Sequence, residues 1–178
     1  MSHALVTVFV PADKSLDELL APFSQDLEVE EHDKPCYRLE WNSDAHDASC
    51  HACGGVGTYR STSNPRGKWD YWTRLGGGNQ YIDARYPSLT GVAFKQEGRA
   101  WVRLEAVPVT REIQGMTTFA IVTPDEGWID RADAGLYEYG DGIDRESQEQ
   151  EWEQRFQRAY AHYSALEGYS VVVCDYHS

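Results

Sequence analysis

Cys50-His-Ala-Cys53 places two thiols at the spacing with which one short turn of backbone grips a single metal ion. The glycines of Gly54-Gly-Val-Gly57 let the chain turn so that its N–H groups approach the sulfurs. Structural zinc takes four ligands, so two more must come from elsewhere. Cys36 lies upstream, His46 and His51 are local, and Cys174 and His177 stand near the end of the sequence. Zinc held by Cys36, Cys50, Cys53 and His177 is the expected set, with the other combinations open. The competing reading is a glycine-rich turn that binds nothing. A thioredoxin-like redox pair is disfavoured, because no strand precedes the motif and no helix follows it.

The stretch from Tyr59 to Gly78 is a second concentration of chemistry. Arg60, Arg66, Lys68 and Arg74 face one local carboxylate, Asp70, with Asn64, Trp69, Tyr71, Trp72 and a glycine run around them. Aromatic faces can stack a base, while cations and glycine N–H groups can hold phosphate. The expected ligand-binding residues are therefore Asn64, Lys68, Trp69, Asp70, Trp72 and Arg74. To these we add Asp175 and His177, a carboxylate and an imidazole on one side of a strand end. The plain alternative is a structural loop whose indoles plug the core and whose cations pair with distant acids. No Ser-His-Asp order, G-x-S-x-G, H-E-x-x-H or phosphate-binding loop is present, so no catalytic residue is assigned.

Composition narrows the partners. Twenty-nine acidic against sixteen basic residues give a net charge of −13, a field that repels nucleic-acid phosphates and disfavours direct duplex binding. It suits a basic protein partner, a DNA-mimicking inhibitor being the extreme form, and it serves solubility. No segment approaches the about 20 apolar residues of a membrane span. Four cysteines are too sparse for a disulfide framework, and the N-terminal stretch reads as a strand, not an export signal, so a cytoplasmic protein is expected. Self-association into a homo-oligomer is open.

The elements that must position these groups read as one α+β domain over residues 1–178. Residues 4–10 alternate as a strand, and Ser15-Leu-Asp-Glu18 is a capping box opening a short helix that Pro22 ends near Phe23. Residues 25–35 read as irregular and 36–41 as a strand. Residues 42–98 form a long loop-rich insertion, which is more often functional or metal-organised than empty. Strands are expected over 100–107 and 117–123, with a turn at 124–127 and a partner strand from Trp128. A helix over 145–166 carries Trp152, Phe156, Ala159, Tyr160 and Tyr163 on one side, and a final strand covers 169–174. The expected architecture is an antiparallel sheet with both helices on one face, in a split β-α-β-like arrangement.

C-x-x-C-x-G-x-G is the knuckle of zinc ribbons and of the cysteine-rich region of DnaJ-type co-chaperones. Followed by Ser61-Thr62-x-Asn64-Pro65-x-x-Lys68-Trp69-Asp70 and Gly76-Gly77, it resembles an uncharacterised family of tailed-phage proteins. Thr123-Pro-Asp125 with Trp128, the helix centred on Trp152 and the closing Asp175-x-His177 extend the resemblance over most of the chain. Two departures stand out: Tyr176 occupies the place of a family cysteine, and Tyr71-Trp72 inverts the family order. The resemblance implies a phage-encoded accessory protein. By analogy with such proteins, it would counteract a host defence by sequestering a nucleotide-like ligand or by binding a host protein. A metal-dependent enzyme acting on a nucleotide or small molecule, with Asp175 and His177 near the ion, is the alternative.

Overall fold

In the computed structural model the described residues are 3–36, 50–51, 53–90, 94–97, 100–103, 115–132 and 144–178. The first strand, β1 (His3–Pro11), is two-faced because successive side chains point to opposite sides of a sheet. Val6, Val8 and Val10 pack on one side, while Leu5 and Phe9 pack on the other. Both faces are buried, so β1 sits in the middle of the sheet and has a helix layer on each side.

After β1 come α1 (Leu16–Leu20), a 3-10 turn (Ala21–Phe23), β2 (Glu28–Pro35), β3 (Thr58–Ser63) and β4 (Tyr71–Arg74). Two single-turn helices follow, α2 (Gln80–Asp83) and α3 (Pro87–Thr90), then β5 (Phe94–Glu97), β6 (Ala100–Arg103), β7 (Ala120–Thr123) and β8 (Gly127–Asp130). The chain closes with α4 (Arg145–Ser164) and β9 (Tyr169–His177). The main sheet runs β4-β9-β1-β7-β8, with β2–β3 and β5–β6 as separate two-stranded sheets. It is mostly antiparallel, and among the described strands β1–β7 is the one parallel pair. β9 runs the length of β1, from His3 opposite His177 to Pro11 opposite Tyr169.

The capping box forms: the Ser15 N–H donates to Glu18 Oε2 at 2.6 Å, and the Glu18 N–H donates to Ser15 Oγ at 3.2 Å. Pro22 converts the last turn to 3-10, as a residue lacking an N–H donor should near a helix end. α1 delivers Leu19, Leu20 and, through the turn, Phe23 to the face of Val6 and Val8. α4 starts at Asp144, whose carboxylate accepts from the Ser147 N–H, and delivers Trp152, Phe156 and Tyr163 to Phe9 and Ile121. The α+β class with a mostly antiparallel sheet holds, but the two helices lie on opposite faces and not on one. The parity of β1 decides this, since Val8 and Phe9 are neighbours in sequence and belong to different layers.

Short elements lie within both stretches expected to be irregular. Residues 28–35 form β2, pairing with β3 inside the 42–98 insertion. The insertion also contributes β4, α2, α3 and β5, so its described part is a series of short elements. Most of the expected strand over 36–41 lies outside the described residues, as do 104–107 of the strand placed at 100–107.

Candidate functional site

Where β1, β9 and β4 meet, four side chains form two imidazole–carboxylate pairs. The end of β9 puts Asp175 and His177 on one face by the two-residue repeat of a strand. Asp175 is fully buried, and its Oδ2 lies 2.7 Å from His3 Nδ1 on the neighbouring strand. Its other oxygen accepts from the Tyr86 hydroxyl at 2.8 Å. Tyr86 joins α2 to α3, a segment pinned by the buried carboxylate of Asp83. That carboxylate accepts from the Gly76 and Gly78 N–H groups at 2.8 and 3.2 Å.

The second pair is His177 Nδ1 with Asp70 Oδ1, 2.6 Å apart. The Asp70 N–H also donates to the His177 carbonyl at 3.0 Å, so backbone and side chain both fix the geometry. The rings of His3 and His177 are 5.0 Å apart between centroids and tilted by 59°. Both use Nδ1 for the carboxylate, and among the described residues neither Nε2 has a protein partner. A carboxylate on Nδ1 favours the tautomer that leaves a lone pair on Nε2, the atom that then serves as base or metal ligand. Burial, and then the Asp175 carboxylate, raise the Tyr86 phenol above the usual tyrosine range, so it stays a neutral donor.

A separate cluster gathers Cys36, Cys50 and Cys53. Their sulfurs all lie within 4.8 Å of one another, with Cys36 Sγ 3.8 Å from Cys50 Sγ. Sulfurs on a tetrahedral ion at about 2.3 Å stand about 3.8 Å apart, whereas a disulfide would bring them to about 2.05 Å. The turn closes through Gly54 N–H to Cys50 carbonyl and Val56 N–H to Cys53 carbonyl, at 2.7 and 3.1 Å. Gly54, Gly55 and Gly57 take φ of 58°, 86° and 88°, a region that disfavours side chains. The Cys36 N–H donates to the Gly57 carbonyl at 2.9 Å, tying the end of β2 to the knuckle. Three such sulfurs can hold a metal such as zinc.

The structure does not bring His177 into this cluster; its ring is committed to Asp70 and His3. Cys174 is buried beneath α1, and His46 lies outside the described residues.

The aromatic-cationic stretch is divided between the two sheet faces. Trp72 pairs with Tyr176 and Arg74 with Cys174, which turns them toward the α1 side. Trp69 also packs there, its indole N–H donating to the Leu20 carbonyl at 3.1 Å. Asn64 ties the Pro22 and Ser24 carbonyls together, and Lys68 pairs with Asp130 at 3.0 Å. Arg66 lies over the Phe23 ring, and Arg60 meets Glu31 and Asp33 across the β2–β3 hairpin. Only Asp70, of the expected set in this stretch, joins His177. The others were expected to share a pocket with it; Trp72 and Arg74 pair with Tyr176 and Cys174, on the opposite face of β9 from His177, while Asn64, Lys68 and Trp69 are held by Pro22, Ser24, Asp130 and Leu20.

His3 and Tyr86 escaped sequence reasoning. Only the pairing of the first strand with the last brings His3 to Asp175. Comparison with protein-family models, curated proteins and solved structures found no match to this chain, so the geometry alone carries the functional reading.

Proposed function

We propose that this chain acts on a small anionic, nucleotide-like ligand at the His3–His177 pair by acid–base chemistry. One observation carries the reading: two imidazoles, 5.0 Å apart, are each anchored through Nδ1 to a carboxylate. Rings this close can serve two oxygens of one reacting centre. One Nε2 takes a proton from an attacking water or hydroxyl, and the other returns a proton to the leaving oxygen. The same anchoring suits a metal ion held by both Nε2 atoms, which is the second form of the reading. The motif resemblance supplies the setting: a phage accessory protein in the host cytoplasm that removes or sequesters a signal of host defence. Binding of a host defence protein through the acidic surface is the reading to return to if no small ligand is found.

The test is incubation with a panel of linear and cyclic nucleotides, followed by mass spectrometry, with and without chelator. Conversion is expected, falling about 100-fold or more in His3→Ala and in His177→Ala, in line with loss of an acid–base group. Conversion that survives the chelator selects the metal-free form, and conversion abolished by it selects the metal form. Ligand recovered unchanged from denatured protein removes catalysis and leaves sequestration. Conversion indifferent to both histidines overturns the assignment of the site.

A further inference from the structure

On the sheet face that carries Asp175 and His3, a cleft of about 400 Å³ opens between α3 and residues 116–119. This is within the usual size of small-molecule sites, roughly 300–1,000 Å³. Its walls are divided in character. Leu89 and Phe119 give it an apolar side, while Arg85 and Arg131 each contribute to its wall in a chain whose net charge is −13. Arg131 is fixed from one side, its Nη1 donating to Glu149 at 2.9 Å. Its remaining donors have no partner among the described residues, and Nε is buried in that state. A guanidinium carries five N–H donors in a rigid fork suited to phosphate or carboxylate, so most of this one's capacity is unspent. Arg85 is exposed and lies over the Tyr81 ring at 6.0 Å. Tyr86 also lines the cleft while its hydroxyl bonds Asp175, so the cleft and the imidazole array share a wall.

We infer that this cleft is the anion subsite: it receives the phosphate of a ligand with a flat apolar body. The phosphate lies between Arg85 and Arg131, and the body lies against Leu89 and Phe119. Phosphate is favoured over a lone carboxylate because two arginines line one cleft and, among the described residues, only Arg131 is paired to an acid. The inference deepens the reading of the histidine pair as the working centre and depends on it only for the direction in which the ligand points.

Titration calorimetry of the full chain with adenosine monophosphate, adenosine and inorganic phosphate tests it. Adenosine monophosphate should bind, and more tightly than either fragment. Arg85→Ala, an exposed change that leaves the core intact, should weaken it tenfold or more. Arg155→Ala, which removes a surface arginine paired to Glu126, should leave it unchanged. Equal affinity in Arg85→Ala and the parent chain, or no adenosine monophosphate binding by either, overturns the subsite. Binding that needs Arg85 without any nucleotide conversion keeps the cleft and removes the acid–base reading. Conversion with a KM indifferent to Arg85 does the reverse.

Discussion

Asp175 is the residue on which the array turns, because it is the only fully buried member and it serves two donors at once. A carboxylate taken out of water is tolerated when its lone pairs are filled, and here His3 and Tyr86 fill them. Replacing it by asparagine keeps the shape but presents an NH₂ to one of two groups that are themselves donors. Asp175→Asn should therefore cost about 1–3 kcal/mol of stability and turn the His3 ring to the tautomer with its proton on Nε2. Asp70 presents the contrasting case, since its side chain is 43% exposed. Asp70→Asn should leave stability within about 1 kcal/mol of the parent while still inverting the tautomer of His177. Denaturant unfolding with the ¹⁵N shifts of the imidazoles reads both quantities. Equal destabilisation by the two variants, or unchanged tautomers in both, contradicts the assignment of these contacts.

At the scale of elements, the knuckle of Cys50 and Cys53 and the end of β2 at Cys36 form one mechanical unit. A metal there would clamp the β2–β3 sheet, which has few apolar contacts of its own; β2 is exposed along most of its length. The purified chain should carry close to one zinc per molecule. Cys53→Ser should release it and speed hydrogen exchange in β2 and β3, with the main sheet unaffected. Full-length protein that is metal-free and shows the same β2–β3 protection as Cys53→Ser would dispose of this role. How much of this could be read beforehand follows the range of each interaction. The capping box of Ser15 and Glu18 was readable because its bonds span three residues, and β1, α4 and β9 were readable from their own periodicity. β2 was not, because Glu-Val-Glu-Glu-His-Asp-Lys-Pro lacks the β-branched pattern and becomes a strand only through β3, with Arg60 answering Glu31 and Asp33. Cys50 and Cys53 were legible by type and spacing, whereas Cys36 was one of several candidates to join them and the fold brings it there. The His3–Asp175 contact, 172 positions apart, waited on the register of β1 against β9.

For the molecule as a whole, the buried proton-bearing groups set an alkaline limit. The Cys174 thiol lies under α1 with no exposure, and burial pushes it up to about 12, with Arg74 opposing and the Asp175 charge assisting. Tyr86 and Tyr163 are raised as well, each by burial and then by a hydrogen-bonded carboxylate, Asp175 and Asp125. A group whose folded pKa is raised stabilises the native state fully below its unfolded pKa and loses that contribution as pH rises toward the folded value. Here the unfolded chain sheds the Cys174 proton from about pH 9 and the tyrosine protons from about pH 10, while the folded chain keeps them. Stability should accordingly be flat with respect to these groups below pH 8.5 and fall between about pH 9 and 12. The thiol alone would account for a few kcal/mol, at about 1.4 kcal/mol per pKa unit. The net charge of −13 steepens the fall, because every lysine neutralised in the folded chain adds to its excess of negative charge. Cys174→Ala leaves a small cavity and should be less stable at pH 7, yet its stability should decline less between pH 9 and 10, before the tyrosines contribute. Urea unfolding at half-unit steps from pH 7 to 11 distinguishes the two curves. Parallel curves offset by a constant would mean that the thiol takes no part and that charge repulsion alone sets the limit.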